Sequence, residues 1–241
     1  MGAGWYAPRP LTDQTETFGL TSVFVSAPLA AERARTSSLD VTWSGGPLQV
    51  NGTLFANRVA NAVGLQRVPG DTLGAVNLVN AAGSLRTHGG ELFAVFNREP
   101  FIVTAYYAAT RSREVSAENG REREVPLTPP ENGGLDFAAD DDESGAYAAI
   151  EIFYTGRQAL EDNPYATASR PYTTIGALLS KRWARATVFL NGENLSNIRL
   201  TNYQPLVRPR VGEGGVWTVE PWAPLEGRRV NLGVKWAWRS E

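Results

Sequence analysis

Apolar and polar residues alternate one by one over short stretches of the chain. Residues 38–43 read Ser-Leu-Asp-Val-Thr-Trp, and after a turn at 44–47 the alternation resumes over 48–57. A period of two places successive side chains on opposite faces of a β-strand. The pattern therefore predicts a hairpin with one apolar face and one polar face.

The same alternation predicts nine strands, joined by connections that are alternately short and long. The strands are 38–43, 48–57, 75–97, 101–107, 135–139, 149–154, 172–182, 185–194 and 228–238. The short connections are 44–47, 98–100, 140–145 and 183–184, and the long ones are 65–75, 111–132, 157–170 and 195–227. Bacterial outer-membrane barrels have this layout, with short periplasmic turns and long extracellular loops.

The number of strands is odd, whereas bacterial single-chain barrels use an even number. Residues 3–10 are therefore expected to form the end of a preceding strand that runs outward. The predicted fold is all-β: a portion of an antiparallel transmembrane β-barrel, with nine or ten strands over residues 1–241. On this interpretation the chain is the back part of a larger barrel.

Composition narrows the class of protein. The formal net charge of −2 gives a nucleic-acid role no electrostatic support, and the absence of cysteine excludes disulfides and thiolate metal sites. The mean hydropathy of −0.26 fits strands that alternate between lipid and lumen. Residues 1–10 lack the basic start and apolar core of a signal peptide, so we expect a mature fragment, a truncated reading frame or a chain that is not exported.

No feature of the sequence favours catalysis or a cofactor. Neither a Gly-x-Ser-x-Gly elbow nor an HExxH motif is present, and the one histidine, His88, is expected to be structural. The acidic run 140–143 lacks the alternating ligand spacing of a Ca²⁺ loop and is predicted to be a solvated turn. We expect no enzyme, no metal and no cofactor.

The last predicted strand carries the clearest membrane feature. Asn231 is followed by Gly233 and then by Trp236 and Trp238, and its apolar face suits lipid, with tryptophans at the interface. This segment resembles the C-terminal signal that the barrel assembly machinery reads. It departs from that signal because residues 239–241 follow the last aromatic residue. An ordinary amphipathic edge strand is the alternative.

Six further stretches resemble, in order, motifs of the C-terminal barrel half of the TonB-dependent receptors. They are Gly4–Pro8, Leu29–Thr36, Arg86–Leu92, Tyr154–Arg157, Phe189–Asn197 and Leu225–Arg228. Each motif is weak alone, and Phe-Leu-Asn-x-x-Asn-Leu-x-Asn at 189–197 is the strongest. In the second stretch Ala34 stands where the family has Ser.

The resemblance implies a transporter of about 22 strands plugged by an N-terminal domain. On this resemblance we expect the plug, the first strands and the segment that binds the energy-coupling protein to be absent from this chain. The implied function is uptake of a scarce nutrient, such as a ferric siderophore, across the outer membrane of a Gram-negative-type bacterium. The implied partners are outer-membrane lipid, the barrel assembly machinery, the iron–siderophore cargo, and the TonB system through the missing plug.

Two groups of side chains are candidates for contacts with ligand or plug. Residues predicted to face the lumen and the plug are Glu91, Glu151, Arg185, Asn191, Glu193 and Lys235. Arginine and aromatic residues of the long loops suit an anionic, ring-bearing cargo. These residues are Arg157, Tyr165, Tyr203, Arg208, Arg210, Trp217 and Trp222. A loop that only covers the barrel mouth is an equal alternative for the second group.

Two other functions stay open. A small complete barrel with a structural or adhesive role needs residues 3–10 as a tenth strand. A soluble all-β binding module needs no membrane. On the receptor interpretation the last strand is an unpaired edge, so the isolated chain is expected to fold poorly or aggregate.

Overall fold

A computed structural model of the protein describes residues 2–6, 23–25, 28–68, 75–206 and 219–238. Its regular elements are strands, apart from one 3₁₀ turn at Leu200–Asn202. The strands are β1 Gly2–Tyr6, β2 Val23–Phe24, β3 Glu32–Gly45, β4 Leu48–Ala60, β5 Val63–Arg67, β6 Val76–Asn80, β7 Leu85–Arg98, β8 Phe101–Val115, β9 Glu122–Glu124, β10 Glu131–Asp141, β11 Ala146–Thr155, β12 Tyr172–Trp183, β13 Ala186–Glu193 and β14 Arg229–Trp236. No helix among the described residues is long and apolar enough to cross a membrane.

Ten strands form one antiparallel sheet in the order β1-β3-β4-β7-β8-β10-β11-β12-β13-β14. The predicted strands belong to it, apart from the first part of the stretch 75–97, and β1 is the additional tenth strand expected near residues 3–10. The strand β9 pairs with the far end of β8. Within the described residues β1 and β14 do not pair with each other, so this sheet stays open. The all-β antiparallel fold class is confirmed.

The predicted alternation of connections is also confirmed. Short turns at 46–47, 99–100, 142–145 and 184–185 define the turn end of the sheet. The opposite end, the loop end, carries the long connections 61–84, 116–130, 156–171 and 194–228. Gly46 and Gly145 have φ of 56° and 69°, a left-handed conformation that glycine adopts without steric cost.

Several predicted strand boundaries were wrong, and two of these differences have a clear structural reason. The stretch predicted as one strand over 75–97 contains two strands, because β6 leaves the main sheet and joins a small sheet in the order β2-β6-β5. The strand predicted to begin at Leu135 begins at Glu131, although Asn132-Gly133-Gly134 reads as a loop. A Cβ at Gly134 would lie 2.3 Å from the Tyr106 ring and 2.9 Å from the Phe153 ring, so glycine allows these rings to cover the strand.

The register divides the main sheet into an apolar face and a polar face. Residues directly opposite on neighbouring strands share a face, and Leu39, Leu54 and Gly90 form one such row. The apolar face is open: Leu39 is 61% exposed and Leu232 is 75% exposed. The described part of the sheet therefore presents a broad apolar surface, which is what a strand wall in lipid requires.

Candidate ligand-binding loops and polar face

The buried core of the described residues lies among the loops rather than in the sheet. Leu200, Val219, Trp222 and Ala223 form it, and Trp222 is only 5% exposed. The Gln158 side chain donates a hydrogen bond to the Trp222 carbonyl at 3.1 Å, which ties the loop at 156–171 to the last loop. Trp222 was predicted to contact cargo; its ring is instead covered, because it anchors the two loops.

Tyr203 lies at the surface of this core. Its ring centroid is 5.1 Å from that of Trp222, and it is 36% exposed. The Arg170 guanidinium lies 6.0 Å from the Tyr203 ring centroid, within reach of a cation–π contact. The loop folding pairs Arg170 with Tyr203, and sequence reasoning missed Arg170 because the two residues are far apart in the chain.

Two side-chain donors are buried at this core without an acceptor among the described residues. They are the indole nitrogen of Trp222 and Nε2 of Gln204. The Gln204 oxygen accepts a hydrogen bond from Asn163 at 3.2 Å, so the amide is partly fixed. Buried donors usually have partners, so these two groups are exceptions among the described residues.

The other predicted loop residues are dispersed. Arg157 is exposed, and Tyr165 is 39% exposed in a bend closed by the bond from its backbone N–H to Asn163 Oδ1 at 2.9 Å. Three further predicted residues lie outside the described residues, and they are Arg208, Arg210 and Trp217.

Arginines join the other long loops by ion pairs. Arg123 lies between Glu114 and Glu161, at 2.8 Å and 2.5 Å, and so connects the 116–130 region to the loop at 156–171. Partial burial lowers the pKa of Arg123, but the hydrogen bonds to the two carboxylates outweigh it and the net direction is upward. Arg67 similarly pairs with Asp162 and, at 3.6 Å, with Glu118. The described loops thus form one connected layer.

The polar face holds five of the six residues predicted to face the lumen. They are Glu91, Glu151, Asn191, Glu193 and Lys235. The sixth, Arg185, lies in the turn 184–185, one residue before β13, so its place on the face stays a prediction. Asn191 donates to Glu193 at 3.0 Å, and Arg229 donates to the same carboxylate at 2.7 Å.

Asn194 directly follows β13 and organises the start of the last loop, 194–228. It has a φ of 47°, and its side-chain nitrogen donates to the carbonyls of Ile198 at 2.7 Å and Glu226 at 3.0 Å. Its oxygen accepts from the Ile198 N–H at 3.0 Å. Asparagine tolerates this left-handed conformation and supplies both donor and acceptor.

The last strand pairs with β13 as an edge strand. Asn231 and Gly233 lie on the polar face, where the Phe189 ring covers Gly233, and Trp236 lies on the apolar face. Trp238 was predicted to continue the apolar row; it lies beyond the end of β14 and is 88% exposed.

The described residues contain no group of three or more His, Cys, Asp or Glu side chains able to hold a metal ion. The acidic run 140–143 forms the end of β10 and the turn after it, where Asp142 pairs with Arg182 at 3.2 Å.

Comparison with known proteins identifies the family. The family description "TonB dependent receptor-like, beta-barrel" matches residues 3–195. The chain belongs to the TonB-dependent receptor β-barrel family. Its members are transporters and receptors rather than enzymes, as the sequence predicted. No curated protein sequence matches this chain.

Solved structures of this TonB-dependent barrel class share the fold at low identity. The FrpB iron transporter from Neisseria meningitidis (F3-3 variant) is 16% identical with a TM-score of 0.64, covering 97% of this chain and 36% of that one. The ferric yersiniabactin uptake receptor FyuA from Yersinia pestis is 17% identical with a TM-score of 0.63, covering 87% of this chain and 30% of that one. The chain therefore spans about a third of the length of these structures.

Proposed function

We propose that the chain forms part of the wall of an outer-membrane receptor that takes up a scarce small nutrient with energy from the TonB system. The observation that carries this proposal is the family match over residues 3–195. The broad apolar face and the alternation of short turns with long loops support it, because both are features of barrels that span a membrane.

The ligand surface of this receptor lies at the loop end. Tyr203 and Arg170 present an aromatic ring beside a cation, and Arg157 adds a second exposed cation. This chemistry suits an anionic, ring-bearing cargo, of which a ferric siderophore is the proposed example.

The polar face is proposed to receive the plug domain of the complete receptor. Glu91, Glu151 and Lys235 are polar groups on a face that would otherwise enclose a lumen, and such groups are stabilised by hydrogen-bonding partners. The last strand is proposed to be the segment through which the barrel assembly machinery inserts the protein, with Gly233 and Trp236 as its recognition residues.

A binding and uptake experiment tests the proposal. The receptor that carries this chain is expressed in a bacterium lacking its own siderophore receptors, and uptake of radioactive iron–siderophore complexes is measured with and without an active TonB protein. Uptake that depends on both the receptor and TonB supports the function. Equal uptake without the receptor, or its absence from the outer-membrane fraction, would refute it.

Loop variants then test the ligand surface. Tyr203→Ala and Arg170→Gln are each expected to weaken binding of the transported complex by about tenfold, since each removes a ring or cation contact of about 1 kcal/mol or more. Arg182→Gln at the turn end is the matched control and should bind as the parent does. Unchanged binding in both loop variants would exclude this surface while leaving the uptake function standing.

A further inference from the structure

Four arginines lie directly opposite one another across four neighbouring strands of the main sheet. Arg35 of β3 is opposite Arg58 of β4, Arg58 is opposite Arg86 of β7, and Arg86 is opposite Arg113 of β8. Strands are about 4.8 Å apart, so this arginine row spans about 15 Å. The row could not be predicted from the alternation along the sequence, because only the pairing register of the strands brings these four residues together.

The arginine row lies on the apolar face, at its loop end. The register of β3 and β4 has no bulge, so Arg35 shares a face with Leu39 and Arg58 shares it with Leu54. Arg35 is four residues from Leu39, which begins the apolar surface on this side. At about 3.3 Å per residue, the row lies about 13 Å from that surface. All four arginines are exposed. On the proposed receptor the row lies at the outer-leaflet boundary, on the outer face of the barrel wall, whereas the proposed ligand surface is formed by the loops.

The row carries uncompensated positive charge. None of the four guanidinium groups forms an ion pair with the described residues, although Glu124 stands opposite Arg113 at one end. Within the described part of the chain, the Arg58 guanidinium donates only to the Ser84 hydroxyl, at 3.1 Å. Like charges directly opposite one another destabilise a sheet, so an anion that bridges them would relieve this repulsion.

Two more arginines extend the cluster on the same face. Arg33 lies two residues beyond Arg35, and Arg111 lies two residues before Arg113 and opposite His88. One phosphodiester charge would neutralise only one of these groups. A headgroup with two or more phosphates matches the cluster, since arginine binds phosphate through paired hydrogen bonds.

An apolar groove lies on the same face, on the side of the row nearer the turn end. It has a volume of about 350 Å³ and is lined by Leu39, Leu54, Leu92 and Tyr107 around Gly52. A Cβ built at Gly52 meets nothing within 4 Å, so the groove floor is open. Positive charge above an apolar groove is the complement of an anionic headgroup with an acyl chain.

We propose that the arginine row and this groove bind a lipid of the outer leaflet whose headgroup bears two or more phosphates. The phosphates bridge Arg35, Arg58, Arg86 and Arg113, and an acyl chain lies in the groove over Gly52. This site rests on the proposed function, because it needs the apolar face to lie in the outer membrane. It is separate from the nutrient site, from which it differs in both face and chemistry.

The test uses the receptor extracted from outer membranes in mild detergent. Binding of three probes is measured: lipopolysaccharide, deacylated lipopolysaccharide and phosphatidylglycerol. Lipopolysaccharide is expected to bind at least about tenfold more tightly than either of the others, because only it joins several phosphates to acyl chains. Equal binding of the deacylated probe would show a free-anion site and overturn the lipid assignment.

Variants separate the row from general surface charge. The double variant Arg58→Gln/Arg86→Gln is expected to lose about tenfold or more in affinity for lipopolysaccharide, and Arg58→Lys/Arg86→Lys to lose less. Lys181→Gln is the matched control, since Lys181 lies on the same face at the turn end. Parent-like affinity in the double variant, or an equal loss in the control, would overturn the proposal.

Filling the groove tests the acyl chain alone. Gly52→Leu is expected to weaken lipopolysaccharide binding and leave binding of the deacylated probe unchanged. An unchanged affinity for both probes would remove the groove from the site. Nutrient uptake is measured in the unaltered receptor and in the same variants. If the unaltered receptor takes up no nutrient, the proposed function is refuted. If uptake is normal and the double variant binds lipopolysaccharide as the parent does, only this inference is refuted.

Discussion

Gly233 shows how one residue constrains the last strand. The Phe189 ring lies over it, and a Cβ built at Gly233 would be 2.3 Å from the tip of that ring. The two residues are directly opposite each other in the β13–β14 pair. A side chain at this position would therefore displace the Phe189 ring from its place over the strand.

Gly233→Ala is expected to destabilise the β13–β14 pair by about 1–3 kcal/mol, because the ring must move away from the strand. Unfolding by urea in detergent, in the receptor that carries this chain, measures the change. Gly52→Ala is the control and should be near neutral, since its Cβ meets open space. The double variant Phe189→Ala/Gly233→Ala should lose no more free energy of unfolding than Phe189→Ala alone. Additive losses from the two substitutions would contradict the ring contact.

Asn194 supports a second prediction at this scale. Asn194→Gly keeps the left-handed backbone but removes the side-chain bonds to Ile198 and Glu226, at an expected cost of about 1–3 kcal/mol. Asn194→Ala should cost about 1 kcal/mol more, because alanine is strained at positive φ. Urea unfolding measures both variants. Equal stability of Asn194→Gly and the parent would show that the bonds do not hold the loop entrance.

At the scale of elements, the strands and the loops are held together by different kinds of contact. Each strand of the main sheet pairs with its neighbours in a continuous antiparallel register, whereas the loops are joined by contacts between residues distant in the chain. Arg123 is the clearest link, since it connects Glu114 at the end of β8 to Glu161 in the loop at 156–171. The loops should consequently open together rather than one at a time.

Arg123→Gln is expected to speed amide hydrogen exchange in the 156–171 loop by a few-fold, because it leaves Glu114 and Glu161 as neighbouring like charges. Exchange measured by mass spectrometry would show the change. Arg121→Gln is the matched control, because Arg121 is exposed and makes no ion pair with the described residues. If the amides of the 156–171 loop exchange at the same rate in both variants, the ion pairs of Arg123 do not couple these loops.

At the scale of the whole molecule, the open sheet is the main feature. Its edge strands, β1 and β14, each have a partner strand on one side only among the described residues, and one face is apolar over most of its width. An unpaired edge strand beside a large apolar face is a site of aggregation in water.

The 241-residue chain expressed alone is expected to aggregate or to refold poorly. Light scattering coupled to size exclusion in detergent measures this, with the longer receptor as the control. A monomeric chain with a sharp cooperative unfolding transition would contradict the expectation.

The sequence by itself determined the strands, their alternating faces and the order of short and long connections. These follow from local rules: a period of two sets the faces, and turn residues end the strands. Resemblance in a few motifs also determined the family. Local patterns failed at Asn132-Gly133-Gly134, where glycine serves the neighbouring rings rather than a turn.

Only the tertiary structure decided which distant residues meet. In the structure Trp222 is buried in the loop core, Arg185 lies in a turn and Arg170 lies beside the Tyr203 ring. It also aligned four arginines in one row, because register fixes cross-strand neighbours that are far apart in the chain. Long-range pairing depends on the packing of the whole sheet and its loops, and no local pattern encodes it.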